Sequence, residues 1–367
     1  MRDILDHLRS WGEPFALATV VGTWQSAPRP AGAAMAVSAS GEVVGSVSGG
    51  CVEAAVYEAC LEVLSGARPH VATYGVSDDD AFAVGLTCGG TIEVFVRLGD
   101  PAEVATVAEA VDERQPAAVA TVVGAADVEL VGRSLVVVDA ALRHGTGRPG
   151  LDDGLVTLAG GLLAHGRNGT VHVGTNGERR MEEVTVFVES YAPPPRMIIF
   201  GAIDFAAALA HLGSYVGYHV TVCDARPVFT TRRRFPDVDE LVVAWPHEYL
   251  RTVAVDERTV LCVLTHDPKF DVPLIVEALR TPAAYIGVMG SRRSTDERAA
   301  RLAEHGVTQA QLARLSSPTG LDLGGSTPEE TALSIMAEIV AHRSGGTGRP
   351  LSELSGPIHR TRVAVPG

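Results

Sequence analysis

The residues that follow three consecutive prolines constrain the fold of this chain more than any other feature. From Met197 onwards, short apolar runs alternate with segments that have helical spacing. Strands that alternate with helices are typical of a doubly wound parallel sheet, because each helix crosses back over the sheet to reach the next strand. We therefore predict a Rossmann-like domain with five short strands, at residues 197–200, 219–223, 240–243, 260–264 and 284–288.

The prolines also mark a domain boundary. A run of prolines forms a stiff linker, and 367 residues are enough for two domains with separate cores. In the first half, β-type runs are interrupted by helical patterns near 52–64 and 102–113, and we find no internal repeat. We predict a mixed α/β domain at 1–192, a linker at 193–196, the Rossmann-like domain at 197–344 and a mobile tail at 345–367.

Composition excludes several classes of function. The formal charge of −14, from 30 basic and 44 acidic residues, argues against nucleic-acid binding, which needs Lys and Arg to neutralise phosphates. Lys269 is the only lysine, so a GxxxxGK[ST] phosphate loop is absent. No apolar run approaches the ~20 residues of a membrane-spanning helix, and the first residues lack the pattern of an export signal. We expect a cytoplasmic protein that does not associate with membranes.

A glycine-rich loop at residues 45–53 leads from a strand into an amphipathic helix and contains Ser48, Gly49, Gly50, Cys51 and Glu53. A thiol at a helix start lies near unpaired amides and the positive end of the helix dipole, which favour the thiolate. Cys51 is therefore the candidate nucleophile or metal ligand, and the glycine amides are candidates to bind an anion. The alternative is that the glycines serve only the turn and Cys51 packs as a small apolar residue.

A second loop contains Cys88, Gly89, Gly90 and Glu93. If the strands beside the two loops are neighbours, both loops could converge on one pocket with two thiols and two carboxylates, suited to an anionic ligand that carries sulfur or metal. Neither CxxC nor HxxxH spacing occurs, so a preformed zinc site is not indicated. The other three cysteines, Cys60, Cys223 and Cys262, lie in apolar patterns and are predicted to be buried.

The Rossmann-like half departs from the usual dinucleotide motif. Gly201 keeps the first glycine of GxGxxG, but Ile203 replaces the second one and Asp204 adds a negative charge where phosphates would lie. Asp224 stands where an acidic residue accepts hydrogen bonds from ribose, and Arg226 could meet a phosphate. These residues favour the fold but disfavour tight NAD(P) binding, which stays an alternative.

A further anion site is predicted at Gly290, Ser291 and Arg292, which follow a strand and precede a helix. Backbone amides and guanidinium groups are suitable donors to an anion. The alternative is a helix capped by Ser294 and Glu297 with solvated arginines.

The combination of motifs resembles the XdhC/CoxI family, the accessory proteins of xanthine dehydrogenase and related molybdenum hydroxylases. The similarity extends over roughly residues 10 to 345. The motifs that carry it lie at residues 49–53, 88–90, 224–227, 285–293 and 327–330. Cys51 matches the cysteine of the family's GGC motif, and Cys88 matches that of its CGG motif. Similar proteins usually have Gly-Ala-Gly-His where this chain has Ile203 and Asp204 in the last two places.

The resemblance implies an N-terminal domain that receives molybdenum cofactor (molybdopterin), with Cys51 as the thiolate contact to the metal. It also implies that the protein assists sulfuration of the cofactor by a cysteine desulfurase, delivers it to an apo molybdenum hydroxylase of the xanthine dehydrogenase type, and forms a homodimer. The chain lacks the iron–sulfur cysteines and the length expected of that enzyme itself.

Two other classes of function stay open. One is an NAD(P)-dependent oxidoreductase that uses Gly201, Asp224 and Arg226 for the cofactor and His266 for proton transfer. Because no second catalytic partner is evident, we favour the other interpretation of His266, a histidine held by the neighbouring Asp267. The other is a degenerate scaffold that only recruits partners.

Overall fold

The computed structural model describes residues 1–24, 27–75, 90–265 and 267–355. They divide into two compact units, Met1–Pro193 and Pro194–Leu354. In the described part of the chain, no helix combines the length and the apolarity needed to cross a membrane.

Within the described residues, the first unit contains two five-stranded sheets and four α-helices. The first sheet has the order β3-β2-β1-β5-β4 and the second the order β8-β7-β6-β10-β9, and all pairings are antiparallel. The strands are β1 (Phe15–Trp24), β2 (Ala34–Ser38), β3 (Val43–Gly45), β4 (His70–Tyr74), β5 (Thr91–Leu98), β6 (Ala117–Ala125), β7 (Ser134–Val138), β8 (Ala141–His144), β9 (Gly169–Val173) and β10 (Val184–Tyr191). The helices are α1 (Leu5–Ser10), α2 (Glu53–Leu64), α3 (Pro101–Asp112) and α4 (Pro149–Ala164).

The two sheets are copies of one pattern, so the expectation that the chain has no internal repeat is wrong. Each sheet is built in the same chain order: three strands, a helix, and two strands, with equivalent strands in equivalent places. The central strands β1 and β6 share the sequence Ala-Thr-Val-Val-Gly, at residues 18–22 and 120–124. Their partners β5 and β10 share Val-Phe-Val, at residues 94–96 and 186–188.

Strand register confirms this equivalence. Both β1–β5 and β6–β10 carry a bulge at the second valine of the shared pentapeptide, since the pairing shifts between Val20 and Gly22 and again between Val122 and Gly124. A bulge inserts one extra residue into one strand, so its recurrence at the same position is specific. The described parts of residues 1–98 and residues 101–191 are therefore structural repeats.

The core of the first unit lies in three layers of apolar contacts. α2 covers one face of the first sheet, with Val56 and Cys60 fully buried, and α4 covers one face of the second sheet, with Leu155 and Ala159 in the matching places. The other faces of both sheets share a core with α1 and α3. α4 was not predicted, because its four glycines weaken the helical signal.

The second unit confirms the predicted Rossmann-like fold. Its six described strands are all parallel, in the order β13-β12-β11-β14-β15-β16, which is the strand order 3-2-1-4-5-6 of dinucleotide-binding proteins. The strands are β11 (Arg196–Phe200), β12 (His219–Asp224), β13 (Glu240–Val243), β14 (Val260–Val263), β15 (Tyr285–Val288) and β16 (Leu315–Ser316).

Helices cover both faces of this sheet. β11 shows why: Met197 and Ile199 join the core under α5 and α10, whereas Ile198 and Phe200 join the core under α6, α7 and α8. The helices are α5 (Asp204–Tyr215), α6 (Pro246–Thr252), α7 (Pro268–Ala278), α8 (Arg292–Glu304), α9 (Gln309–Leu312) and α10 (Pro328–Ser344). Alternate side chains of a strand point to opposite faces, so a strand that is apolar throughout must be covered twice.

Candidate functional site

The loop between β3 and α2 is organised by the carboxylate of Glu53. Oε1 accepts hydrogen bonds from the Ser46 hydroxyl (2.6 Å) and from the amides of Ser48 (2.9 Å) and Gly49 (3.0 Å). Oε2 accepts from the Ser48 hydroxyl (2.6 Å) and the Gly50 amide (2.8 Å). Burial alone would raise the pKa of Glu53, but these hydrogen bonds outweigh it and lower the pKa to about 2.

This arrangement differs from the anion site that the sequence suggested. The amides of Ser48, Gly49 and Gly50 donate to a carboxylate of the chain itself rather than facing an empty position. The Glu53 side chain therefore fills the place that a phosphate would take at such a loop. An external anion would have to displace a carboxylate that accepts six hydrogen bonds.

The two glycines are needed for the backbone conformation of the loop. Gly49 and Gly50 have φ of +85° and +123°, a region that residues with a side chain rarely adopt. A Cβ added at either position would meet no atom within 4 Å, so the space above both glycines is open.

Cys51 follows these glycines and lies just before the helix, because Val52 is the N-cap and α2 begins at Glu53. The Cys51 amide donates to the Ser48 hydroxyl at 3.0 Å. Its side chain is half-buried at the edge of the core under α2. The loop thus fixes the backbone of Cys51 on both sides and leaves its thiol at the border between core and solvent.

We expected the two cysteine loops to converge if the strands beside them, β3 and β5, were neighbours, and this condition is wrong. β3 and β5 are not neighbours, since β2 and β1 lie between them; three strand spacings separate their backbones by about 14 Å. Cys88 and Gly89 lie outside the described residues, so the two-cysteine pocket stays a prediction. Gly90 is buried directly before β5, and Glu93 lies in β5 opposite Gly22.

The second repeat keeps the framework of this loop without the thiol. Strand register aligns Gly45 and Ser46 with Gly145 and Thr146. The Thr146 amide (2.9 Å) and hydroxyl (2.6 Å) donate to Oδ1 of Asp152, as Ser46 and Ser48 donate to Glu53. Alignment of the buried helix positions places Gly150 where the first repeat has Cys51.

In the second unit, the carboxylate expected to bind ribose is already fully engaged. Asp224 Oδ2 accepts from the Ala202 amide and from Arg226 Nη2, both at 2.8 Å. Its Oδ1 accepts from the Arg226 amide (2.9 Å) and Nε (3.0 Å). Burial alone would raise the pKa of Asp224, but these bonds lower it on balance. Arg226 therefore occupies the position that a ribose would take.

The glycine turn of this unit is closed in a similar way. Gly201 has φ of +111°, and a Cβ there would lie 3.1 Å from Thr265 Cγ2, so the turn packs tightly on the loop after β14. Asp204 pairs with Arg234 at 2.8 Å, and Arg234 also donates to the Ala202 carbonyl at 3.0 Å. The negative charge expected at this turn is present and is matched within the chain.

At the third predicted site the structure shows a capped helix. Ser291, not Ser294, is the N-cap of α8 and accepts from the Ser294 amide, so the predicted cap is wrong by one turn. Arg292 is exposed. The family motif at residues 327–330 forms a capping box, in which Thr327 and Glu330 cap the start of α10.

A buried polar network that the sequence did not suggest connects these loops. Thr265, at the end of β14, donates to Asp271, and Asp271 pairs with Arg298 at 3.4 Å. Arg298 also donates to the Met289 carbonyl at 3.0 Å, and a Cβ at Gly290 would lie 3.3 Å from its Nη2. Asp271 and Arg298 lie inside helices, where sequence alone does not separate them from solvated surface charges.

The remaining cysteines are buried as predicted. Burial raises the pKa of the Cys60, Cys223 and Cys262 thiols to about 12. Within the described ranges, no cluster of three or more His, Cys, Asp or Glu side chains could hold a metal ion. His266 lies outside the described residues.

These observations define an α/β protein with two units. In the described residues, the first unit is a β-rich pair of repeats that carries Cys51 in a glycine loop. The second unit is Rossmann-like, and Arg226 already binds the carboxylate of Asp224 that would bind a ribose. Residues 197–339 match the family description "XdhC Rossmann domain", and residues 8–75 match "XdhC and CoxI family". The chain belongs to the XdhC and CoxI family.

Three similar proteins support this assignment over nearly the whole chain. A Bacillus subtilis protein, named as a probable subunit of xanthine dehydrogenase, is 28% identical, covering 93% of this chain and 96% of that protein. The Molybdenum cofactor insertion chaperone PaoD of Escherichia coli is 24% identical, covering 90% of this chain and 84% of that protein. A crystal structure from Bacillus halodurans, described as a xanthine dehydrogenase, has a TM-score of 0.65 at 25% identity and covers 95% of this chain and 98% of that chain.

Proposed function

We propose that this protein binds molybdenum cofactor and assists its sulfuration and its insertion into a molybdenum hydroxylase of the xanthine dehydrogenase type. The observation that carries the proposal is the Glu53-ordered loop, which fixes Cys51 in one repeat, while the other repeat has glycine at the aligned position. The names of relatives that cover nearly the whole chain support the same conclusion.

The residues fit the chemistry of this cofactor in part. A cysteine thiolate is a soft ligand, suited to a soft metal centre and its sulfur ligands. A Cβ added at Gly49 or Gly50 would meet no atom within 4 Å, so the loop is open directly before Cys51. The cofactor would supply the molybdenum and dithiolene sulfur. Its phosphate requires another partner, because Glu53 holds the loop amides.

In this proposal each residue has a limited role. Cys51 contacts the metal or its sulfur ligand, Glu53 fixes the loop, and Gly49 and Gly50 let the backbone adopt the required conformation. The apo molybdenum hydroxylase and a cysteine desulfurase are the proposed protein partners, and a homodimer is the proposed assembly. The oxidoreductase alternative gains no support from the second unit, since Asp224 is engaged by Arg226.

The test compares molybdenum and pterin content after anaerobic purification from cells that make the cofactor. Cys51→Ala should lose both while keeping the wild-type unfolding midpoint. Cys60→Ala is the matched control, because it removes a thiol from the buried face of α2 without touching the loop; it should keep the cofactor. Stoichiometric molybdenum in Cys51→Ala would refute the proposed role of this residue. Failure of wild-type protein to copurify with either component would favour the scaffold alternative.

A further inference from the structure

One edge of the parallel sheet carries a group of exposed apolar side chains. Val228, Phe229, Val243 and Trp245 are each at least 41% exposed. They follow or end β12 and β13, so they lie at the carboxyl edge of the sheet. Open α/β sheets bind ligands at this edge, and exposed apolar patches mark interaction sites more often than isolated apolar residues do.

Trp245 is the centre of an aromatic contact at this edge. Its ring centroid lies 5.0 Å from that of Phe270, with 40° between the planes. Phe270 comes from α7, after β14, so two different strand ends contribute the pair. Despite this contact the Trp245 side chain stays 44% exposed. An indole held in place and open to solvent can stack against a planar ring.

A cationic group flanks this aromatic pair. Lys269 Nζ lies 4.8 Å from the Phe270 centroid and 3.3 Å from Asp267 Oδ2. The Lys269 side chain is 61% exposed although it pairs with Asp267. An exposed ammonium donor thus lies beside the exposed aromatic rings.

We propose that Trp245 stacks on a planar heteroaromatic ring that carries a phosphate, and that Lys269 meets the phosphate. This site differs from the usual dinucleotide crevice, which Arg226 and Asp204 close from within. Two kinds of ligand share the required chemistry: nucleotides and pterin phosphates. The pterin source rests on the proposed function, because the cofactor carries a pterin ring and a phosphate.

The experiment is calorimetric titration of the full chain with four probes: GMP, neopterin monophosphate, guanosine and ribose 5-phosphate. GMP or neopterin phosphate should bind, and removal of either the ring or the phosphate should weaken binding at least several-fold. Tighter binding of neopterin phosphate than of GMP assigns the site to pterins, and the reverse order assigns it to nucleotides. Absence of binding by both phosphates at millimolar concentration overturns the proposal.

Variants separate stacking from a structural effect. Trp245→Ala should weaken the preferred phosphate roughly tenfold, the usual effect of losing one base–aromatic stack, and Trp245→Phe should recover most of it. Trp24→Phe alters an exposed indole of the first unit and should leave affinity unchanged. Unaltered affinity in Trp245→Ala, or equal binding of ribose 5-phosphate, refutes stacking.

Chemical modification of Lys269, the single lysine of the chain, gives an independent test of ligand binding at this site. The bound ligand should protect Lys269 from an amine-acylating reagent, measured by peptide mass spectrometry, whereas ribose 5-phosphate at the same concentration should not. Cys51→Ala should bind the probes as wild type does. Wild-type protein that binds the probes but copurifies with neither molybdenum nor pterin would therefore refute the proposed function alone. Wild-type protein that retains both components but binds neither phosphate probe would refute this site alone.

Discussion

Replacement of Glu53 by Gln tests the central feature of the Cys51 loop. A pKa of Glu53 lowered from 4.5 to about 2 corresponds to roughly 3 kcal/mol of stabilisation of the folded state, before solvent screening is considered. Because the loop is partly exposed, solvent screening reduces this to about 1.5 kcal/mol. Gln has nearly the same shape as Glu but keeps only one acceptor oxygen. Its NH₂ group would lie opposite several of the donors from Ser46, Ser48 and Gly50. We therefore expect Glu53→Gln to lose a similar amount of folding free energy, because these hydrogen bonds are no longer made.

The pH dependence of this contribution has a definite sign. The folded-state pKa of Glu53 is lowered, so its stabilising effect is fully present above the unfolded value of 4.5 and is lost as pH falls towards about 2. Urea unfolding of wild type should therefore show a loss over that interval that Glu53→Gln does not show. Equal pH slopes between 4.5 and 2 in the two proteins would contradict this account.

Alkylation of Cys51 by iodoacetamide reports on the loop itself. If the lost hydrogen bonds loosen the loop, Cys51 of Glu53→Gln should react about three- to tenfold faster, and cofactor retention should fall. Asp152→Asn is the matched control, because Asp152 accepts the equivalent bonds from Thr146 in the second repeat. It should be destabilised without a change in Cys51 alkylation. An unchanged alkylation rate in Glu53→Gln would refute the positioning role.

Three further predictions concern stability and thiol reactivity. Gly201→Ala should lose about 1–3 kcal/mol in urea unfolding, because φ is +111° and the new Cβ would lie 3.1 Å from Thr265; a loss below 0.5 kcal/mol would contradict this reasoning. Cys60 and Cys262 should resist iodoacetamide at pH 8 until the protein unfolds, since burial raises the pKa of each thiol to about 12; peptide mapping checks this. Arg298→Met should cost about 3–5 kcal/mol by removing the guanidinium that pairs with the buried carboxylate of Asp271, and the added substitution Asp271→Asn should restore part of it.

The sequence predicted the second unit well because its strands are apolar throughout. Residues 197–200 and 260–263 are buried on both faces, so each forms an uninterrupted apolar run bounded by helical segments. Burial of the three structural cysteines followed from the same patterns. Prediction succeeded wherever a short local pattern determines which face is buried.

Prediction failed where the partner of a polar group is distant or where only part of a pattern repeats. Nothing in the sequence indicates that Arg226 turns back onto Asp224, or that Asp271 finds Arg298 across 27 positions. In the sequence, the repeat is visible only in two short matches, residues 18–22 with 120–124 and residues 94–96 with 186–188, and sheet register was needed to extend it. A direct comparison of these pentapeptides would have given the earliest signal.

The two repeats also carry complementary buried charges. Arg97 and Glu189 lie at aligned positions of β5 and β10, opposite Leu17 and Val119, and both are buried. Arg97 pairs with Glu103 and feels the charge of Glu189. Opposite charges at equivalent buried positions mean that the two halves complement each other and cannot be exchanged, since two copies of either half would place like charges together.

Such complementary halves are free to diverge at their surfaces. The connection between the last two strands spans residues 75–90 in the first repeat, which contains Cys88, and only 174–183 in the second. Cys51 likewise has glycine as its counterpart, Gly150. Both cysteine motifs therefore distinguish the first repeat from the second. A variant with Gly150→Cys should fold, because Gly150 is exposed in the first turn of α4 and a Cβ there would come no closer than 3.4 Å to Asn176. The test is whether Gly150→Cys, combined with Cys51→Ala, retains cofactor. If it does not, a cysteine at the start of the helix is insufficient for binding. If it does, residues 75–90 of the first repeat are dispensable for binding.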